Sequence, residues 1–233
     1  KLTDDDIESF VRSIMPVVLN AMYSNSVMTT GPLQHLATLA PNIVIPPLIE
    51  RIYGAYETVT EPHKLLASLN SVVSVARILV YPGPRYKEGP THVIPLLMMS
   101  LPGIDPNDIR KAALTFQLIS TFCTLVPIVD SSSSLTIGGI NHDLTEEEKL
   151  ICSQSAQFED FVVQFLDKCF NLIESSTQEN TREEMSSSDH RTNKEDTMKN
   201  SGMASTFSSI ITHASAPIQD LALRKVETFI SGK

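Results

Sequence analysis

The chain contains no tryptophan, and aromatic residues make up only 6% of its 233 positions. A core assembled from this sequence must therefore come mainly from Leu, Ile, Val and Met, and the hydrophobic share of 42% is enough for a continuous one. Cysteine is scarce too. Cys123, Cys152 and Cys169 are odd in number and lack the close C-x-x-C pairing of a zinc site, which excludes a disulfide framework and a zinc ribbon. Each lies in an apolar helical stretch, as expected of reduced core thiols in a reducing compartment such as the nucleus or cytoplasm. Basic residues are in deficit, 18 Lys and Arg against 27 Asp and Glu, a formal charge of −9. That balance speaks against direct nucleic-acid binding, which needs clustered cations to neutralise phosphates. No apolar run reaches the roughly 18 residues of a membrane span, so no membrane partner is expected, and no charged-then-apolar leader opens the chain. The first residue is Lys1 and not Met, which reads as a piece cut from a longer polypeptide.

What is present is helix after helix. Thr3 followed by Asp4, Asp5 and Asp6 is an N-cap with acids in the first turn, where the helix dipole favours them. Ile7, Phe10, Val11, Ile14 and Val18 then form an apolar stripe, with a kink expected at Pro16 and an exit between residues 20 and 30. A short helix is expected over 31–40. Another starts at Pro41, with Pro46 and Pro47 early in it, and a third runs over 62–80. The face of that third helix (Leu65, Leu66, Leu69, Val72, Val73, Ala76, Leu79) is too wide for one wet side. Residues 81–90 are a Pro- and Gly-rich loop. Helix is expected again over 91–101, and from an Asp105-Pro106 start to about Pro127. After a Ser- and Gly-rich loop over 130–143, Thr145 to Glu148 is a capping box. It opens a long periodic stretch through Ile151, Phe158, Phe165, Cys169 and Ile173.

The composition divides the chain into helical repeats over 1–174, a polar low-complexity insertion over 175–203 expected to be disordered, and a further helical repeat over 204–233. No sustained alternation with hairpin turns occurs, so strands are not expected. Paired helices joined by Pro-containing turns predict an all-α fold, an α-solenoid of HEAT-like hairpins. IVIPPLIERI and HVIPLLMMSL carry Pro46 and Pro95 about 49 residues apart, near the ~40–47 residue HEAT period.

Signs of chemistry are few. No H-E-x-x-H, G-x-S-x-G elbow or P-loop is present, and no catalytic residue, metal ligand set or cofactor site is assigned. His142-Asp143 is the nearest approach to a metal pair, but adjacent side chains splay apart and no third ligand is close. The acidic runs at residues 4–6 and 146–148 are explained by helix first turns. Arg85 and Lys87, flanking Tyr86 in a rigid loop, are the candidate contacts for an anion or a partner.

Several runs carry a resemblance. Glu88 to Asp130 (EGPTHVIPLLMMSLPGIDPNDIRKAALTFQLISTFCTLVPIVD), Phe158 to Glu184, KLTDDDIESFV at the start, VIPPLIERIY and TEPHKLL are similar to the large HEAT-repeat, ATP-independent proteasome activators, the subunit 4 family of the proteasome activator complex. The similarity covers Lys1 to about Glu184 and resumes near Ser205, Thr206 and Phe207. Departures fall at 81–87, 130–141 and 186–200. The resemblance implies a dome-forming solenoid that caps the 20S core proteasome and opens its gate without ATP. It further implies degradation of peptides and acetylated proteins such as histones, roles in DNA repair and spermatogenesis, and a place in nucleus and cytoplasm. The family binds inositol polyphosphates in basic openings, for which Arg85 and Lys87 are the only candidates here. Its docking tail is a hydrophobic-Tyr-x ending. The chain ends Ile230-Ser231-Gly232-Lys233 and so reads as an internal structural segment, not itself an enzyme. The competing sequence reading is a HEAT-type adaptor or nuclear transport receptor segment.

Overall fold

The computed structural model describes residues 3–24, 26–57, 61–81, 83–135, 144–183 and 190–232. Ten α-helices occur among them, and the only extended pairing is an isolated bridge between Ile128 and Ala214. The chain divides into two compact units, residues 1–93 and 94–233.

In the first unit, α1 (Asp4–Ser24), α2 (Ser26–Leu39), α3 (Pro41–Glu57) and α4 (Pro62–Val80) form two consecutive hairpins. Helix α1 lies beside α3 and α2 beside α4, the layering of stacked two-helix repeats. Thr3 caps α1 as expected: its hydroxyl accepts from the Asp6 amide at 3.2 Å, and the Asp6 carboxylate accepts from the Thr3 amide at 2.9 Å. The buried stripe of α1 is Val11, Met15, Val18, Leu19 and Met22. Phe10, expected inside, is 52% exposed because it sits about 100° around the helix from Val11. Helix α2 begins at Ser26 and carries Gly31 and Pro32 inside it, earlier than expected. Burial of Thr29, Leu33, Leu36 and Ala37 holds those turns helical against their local preference. Pro46 and Pro47 fall in the second turn of α3, not the first.

Helix α4 matches its expected limits and explains its wide apolar face. Leu69, Val72, Val75, Ala76 and Leu79 are buried at 1% exposure or less, and α1, α2 and α3 all pack on it. It is also the one described helix with the length and hydropathy of a membrane span, but half of that stretch is buried inside the protein, as befits a core helix.

The second unit contains most of α5 (Val93–Ser100), then α6 (Ile109–Leu125), α7 (Glu146–Ser155), α8 (Phe158–Glu183), α9 (His190–His213) and α10 (Ala216–Ser231). Helix α6 packs on α9, and α8 on α10. Two details differ from the sequence expectation. The N-cap of α6 is Asp108, whose carboxylate accepts from the Lys111 amide at 3.0 Å. Asp105 instead accepts from the Asn107 amide and from Lys111 Nζ, both at 2.9 Å, closing a turn ahead of the helix. The periodic stretch after the Thr145–Glu148 capping box is not one helix, because it breaks at Ala156 and Gln157. There the Ser155 hydroxyl donates to the Cys152 carbonyl and accepts from the Ser131 amide, ending α7 against the Ser132–Leu135 turn.

Among the described residues, helix α8 runs through Glu183 and α9 starts at His190, on either side of the middle of the polar stretch 175–203. The loop residues His142 and Asp143 lie outside the described residues.

Candidate functional site

Among the described residues, the strap after α4 brings together a cation, two phenols and an imidazole. Gly83 has φ +68°, a left-handed conformation natural to glycine, and it begins a 3₁₀ turn at Gly83–Arg85. A second 3₁₀ turn, Gly89–His92, carries the chain into α5. This matches the loop expected over 81–90 and shows what it holds.

Arg85, the sequence candidate for anion contact, already has partners within its unit. Its Nη2 donates to the Asp4 carboxylate in the first turn of α1, and its Nη1 donates to the Leu39 carbonyl at the end of α2, at 3.1 Å. The guanidinium fork suits this double role. Lys87 is exposed. Together they do not form an arranged anion cradle: one cation is tied to a carboxylate and a helix end, the other points to solvent.

Between them Tyr86 is buried, at 8% exposure. Its hydroxyl lies 3.4 Å from Nε2 of His92, and the Tyr53 hydroxyl of α3 lies 3.1 Å from Nδ1 of the same ring. The Tyr53 and His92 rings meet with centroids 6.0 Å apart. Burial pushes the Tyr86 phenol up to about 12, helped by the Glu88 carboxylate and by Tyr53. Burial also raises Tyr53, and it lowers His92 while Glu88 acts on the ring in the opposite sense. All three groups are therefore neutral at pH 7. Sequence reasoning missed this cluster: Tyr53 and His92 stand 39 residues apart, and no local pattern joins them.

The second unit holds an apolar cleft of about 250 Å³ between α8, α9 and α10. Phe165, Phe170, Phe207 and Phe229 line it, and Phe170 stacks on Phe229 with centroids 4.1 Å apart. Cys169 borders it, its thiol pushed up to about 12 by burial, and burial raises the Cys123 thiol further. Such thiols stay protonated and are poor nucleophiles. Among the described residues no group of three or more His, Cys, Asp or Glu is placed to hold a metal ion. The geometry is thus that of packed helices and tethered loops, suited to holding a surface in shape.

Comparison with known proteins agrees with that character. A family model described as the mid HEAT repeats region of proteasome activator complex subunit 4 matches residues 1–233. Proteasome activator complex subunit 4 of Homo sapiens is 52% identical over 231 residues, covering 98% of this chain and 12% of the human protein. Subunits 4B and 4A of Danio rerio are 51% and 48% identical, again over 98% of this chain and 12% of theirs. The chain therefore spans about an eighth of the length of the curated relatives it matches.

Proposed function

The chain belongs to the proteasome activator complex subunit 4 family, within its middle HEAT-repeat region, and from that premise we propose that it is a structural wall section of a helical cap on the 20S core proteasome. Its role is to hold shape and spacing. Gate opening without ATP, and degradation of peptides and acetylated proteins such as histones, are activities of the whole assembly, of whose wall this section is one part. We propose residence in nucleus and cytoplasm, and service in DNA repair and spermatogenesis, on the same footing. No catalytic step is assigned to this chain.

The observation that carries the reading is the family match across residues 1–233, supported by the two stacked helical hairpins of the first unit. Arg85 supports a purely structural part for the strap, since an inositol polyphosphate there would have to displace Asp4.

Affinity capture of the full-length protein followed by mass spectrometry tests the partner. Core proteasome subunits are expected, whereas recovery of transport cargo or a small GTPase in their place would favour a transport receptor and overturn the proposal. Peptide hydrolysis by purified core particles should rise on adding the full-length protein without nucleotide. A strict ATP requirement, or no stimulation, would refute the gate-opening part.

A further inference from the structure

The strap over residues 83–92 is fastened to the helices before it at two places. One is Arg85, bridging Asp4 of α1 and the Leu39 carbonyl. The other is His92, whose two ring nitrogens face two phenols, Tyr53 from α3 and Tyr86 from the strap itself. An imidazole held between two hydroxyls has a hydrogen-bond pattern that depends on its charge. The neutral ring has one N–H and one bare nitrogen: one phenol accepts from the N–H while the other donates to the bare nitrogen. The protonated ring has two N–H groups and no acceptor. Both phenols must then accept, and the one that was donating must turn its hydrogen away, while a cation sits in a half-buried site.

We propose that His92 is a proton-responsive latch: neutral, it joins Tyr53 to Tyr86 and closes the strap over α3, and on protonation it releases the strap. This goes beyond the structural role proposed above and does not depend on proteasome binding.

The direction follows from the surroundings. Burial disfavours the imidazolium, so folded His92 takes up its proton less readily than the unfolded chain, whose ordinary value is 6.5. The latch contribution is therefore fully present above pH 6.5 and is lost as pH falls through the lower folded value. Glu88 is the one described charge that acts on the ring, and it partly offsets burial. From α3 the ring meets Tyr53. From α4, which packs on the Gly89–His92 turn, the ionisable groups are His63, Lys64 and Arg77, and none of them shifts it. Tyr86 stays neutral throughout this range, as does Tyr53.

Two measurements on the full chain across pH 5 to 8 test the latch. One is the ring titration of His92 by NMR, assigned with His92→Gln. The other is hydrogen-exchange protection of residues 83–92 by mass spectrometry, corrected for the intrinsic rate at each pH. Strap protection should fall by about threefold or more on acidification, with the same midpoint as the ring titration. In His92→Gln the acid step should vanish. In Glu88→Gln, a change on an exposed side chain, both midpoints should move to lower pH together. Unchanged strap protection while the ring titrates would overturn the proposal, as would an acid step of wild-type size in His92→Gln. Should His92→Gln leave the strap open at every pH, Glu88→Gln decides: an opening midpoint that stays put while the ring titration moves refutes the latch.

Discussion

Replacing Gly103 by alanine is the sharpest probe of packing in the second unit. Gly103 is buried at the end of the Leu101–Gly103 turn, which packs on α6 and α8. A Cβ built there comes 2.2 Å from Oγ1 of Thr115 and 3.3 Å from both its Cβ and Cγ2. The first distance is a collision with a side chain that is itself fully buried on α6. Overpacking of this kind costs ~1–3 kcal/mol. Alanine also restricts the unfolded chain, which returns ~0.4–1 kcal/mol. The expected net loss is roughly 1–2 kcal/mol, or a fall of about 3–6 °C in the melting transition of this unit. Thr115 offers a control, because its hydroxyl is buried with no hydrogen-bond partner among the described residues. Thr115→Ala removes an uncompensated polar group along with a methyl, two effects of similar size and opposite sign, so it should stay within about 1 kcal/mol of the parent. In that background the 2.2 Å collision is gone, and the remaining 3.3 Å contact needs only a few tenths of an ångström of relief. Gly103→Ala should then be nearly silent. Urea unfolding of the four proteins gives the coupling energy directly, expected at roughly 1–2 kcal/mol. Equal cost of Gly103→Ala in both backgrounds would show that the turn does not press on α6 as described.

Three further outcomes are expected. Thr145→Ala removes the hydroxyl that accepts from the Glu148 amide at 3.3 Å and dissolves the capping box of α7, so stability should fall by ~0.5–2 kcal/mol, with helical content lost first around residue 146 by hydrogen exchange. Phe161→Ala, at a fully buried ring stacked with Phe165, should cost ~3–5 kcal/mol in denaturant titration, whereas loss under 1 kcal/mol would place that ring outside the core. Thiol labelling at pH 7.5 should modify the partly exposed Cys152 and spare Cys123 and Cys169 until the chain unfolds, since burial both shields those two thiols and holds them protonated.

Helix identity was legible where a wide apolar face met clear ends. Residues 62–80 are the best case: Pro62 fixes the start, the face calls for cover on several sides, and α1, α2 and α3 provide it. Thr3 and Thr145 were legible for a different reason, since a cap is a contact among neighbours in sequence and needs no tertiary information. Boundaries failed where distant packing decides. Residues 26–30 read as part of a turn before a helix starting at Gly31, but α2 already begins at Ser26, with Thr29 and Leu33 buried on either side of Gly31 and Pro32. The gap between α7 and α8 is invisible to periodicity because its cause, the contact of Ser155 with Ser131, spans 24 residues. Apolar patterning likewise predicts that Phe10 belongs to a stripe, but not which part of a broad stripe is covered.

The strap carries the same lesson into the chemistry. Sequence logic singled out Arg85 and Lys87, because cations on a rigid loop suggest an anion. In the structure the ion pair of Arg85 with Asp4 has its two side chains 39% and 74% exposed, and such pairs contribute only ~0–1 kcal/mol. The residue between them matters more. A phenol ring covers ~150–250 Å², and at ~25 cal/mol per Å² its burial is worth roughly 4–6 kcal/mol as an upper bound. Tyr86, at 8% exposure, therefore anchors the strap energetically. Arg85, reaching two different helix ends through two nitrogens, sets where the strap lies. His92 then supplies the charge-dependent element, because it is the one member of the group that gains a charge on acidification, below the ordinary histidine value because burial disfavours the imidazolium. A loop selected for its cations is thus held by its aromatic residue and made responsive by its histidine, and those two properties can be altered independently of the arginine.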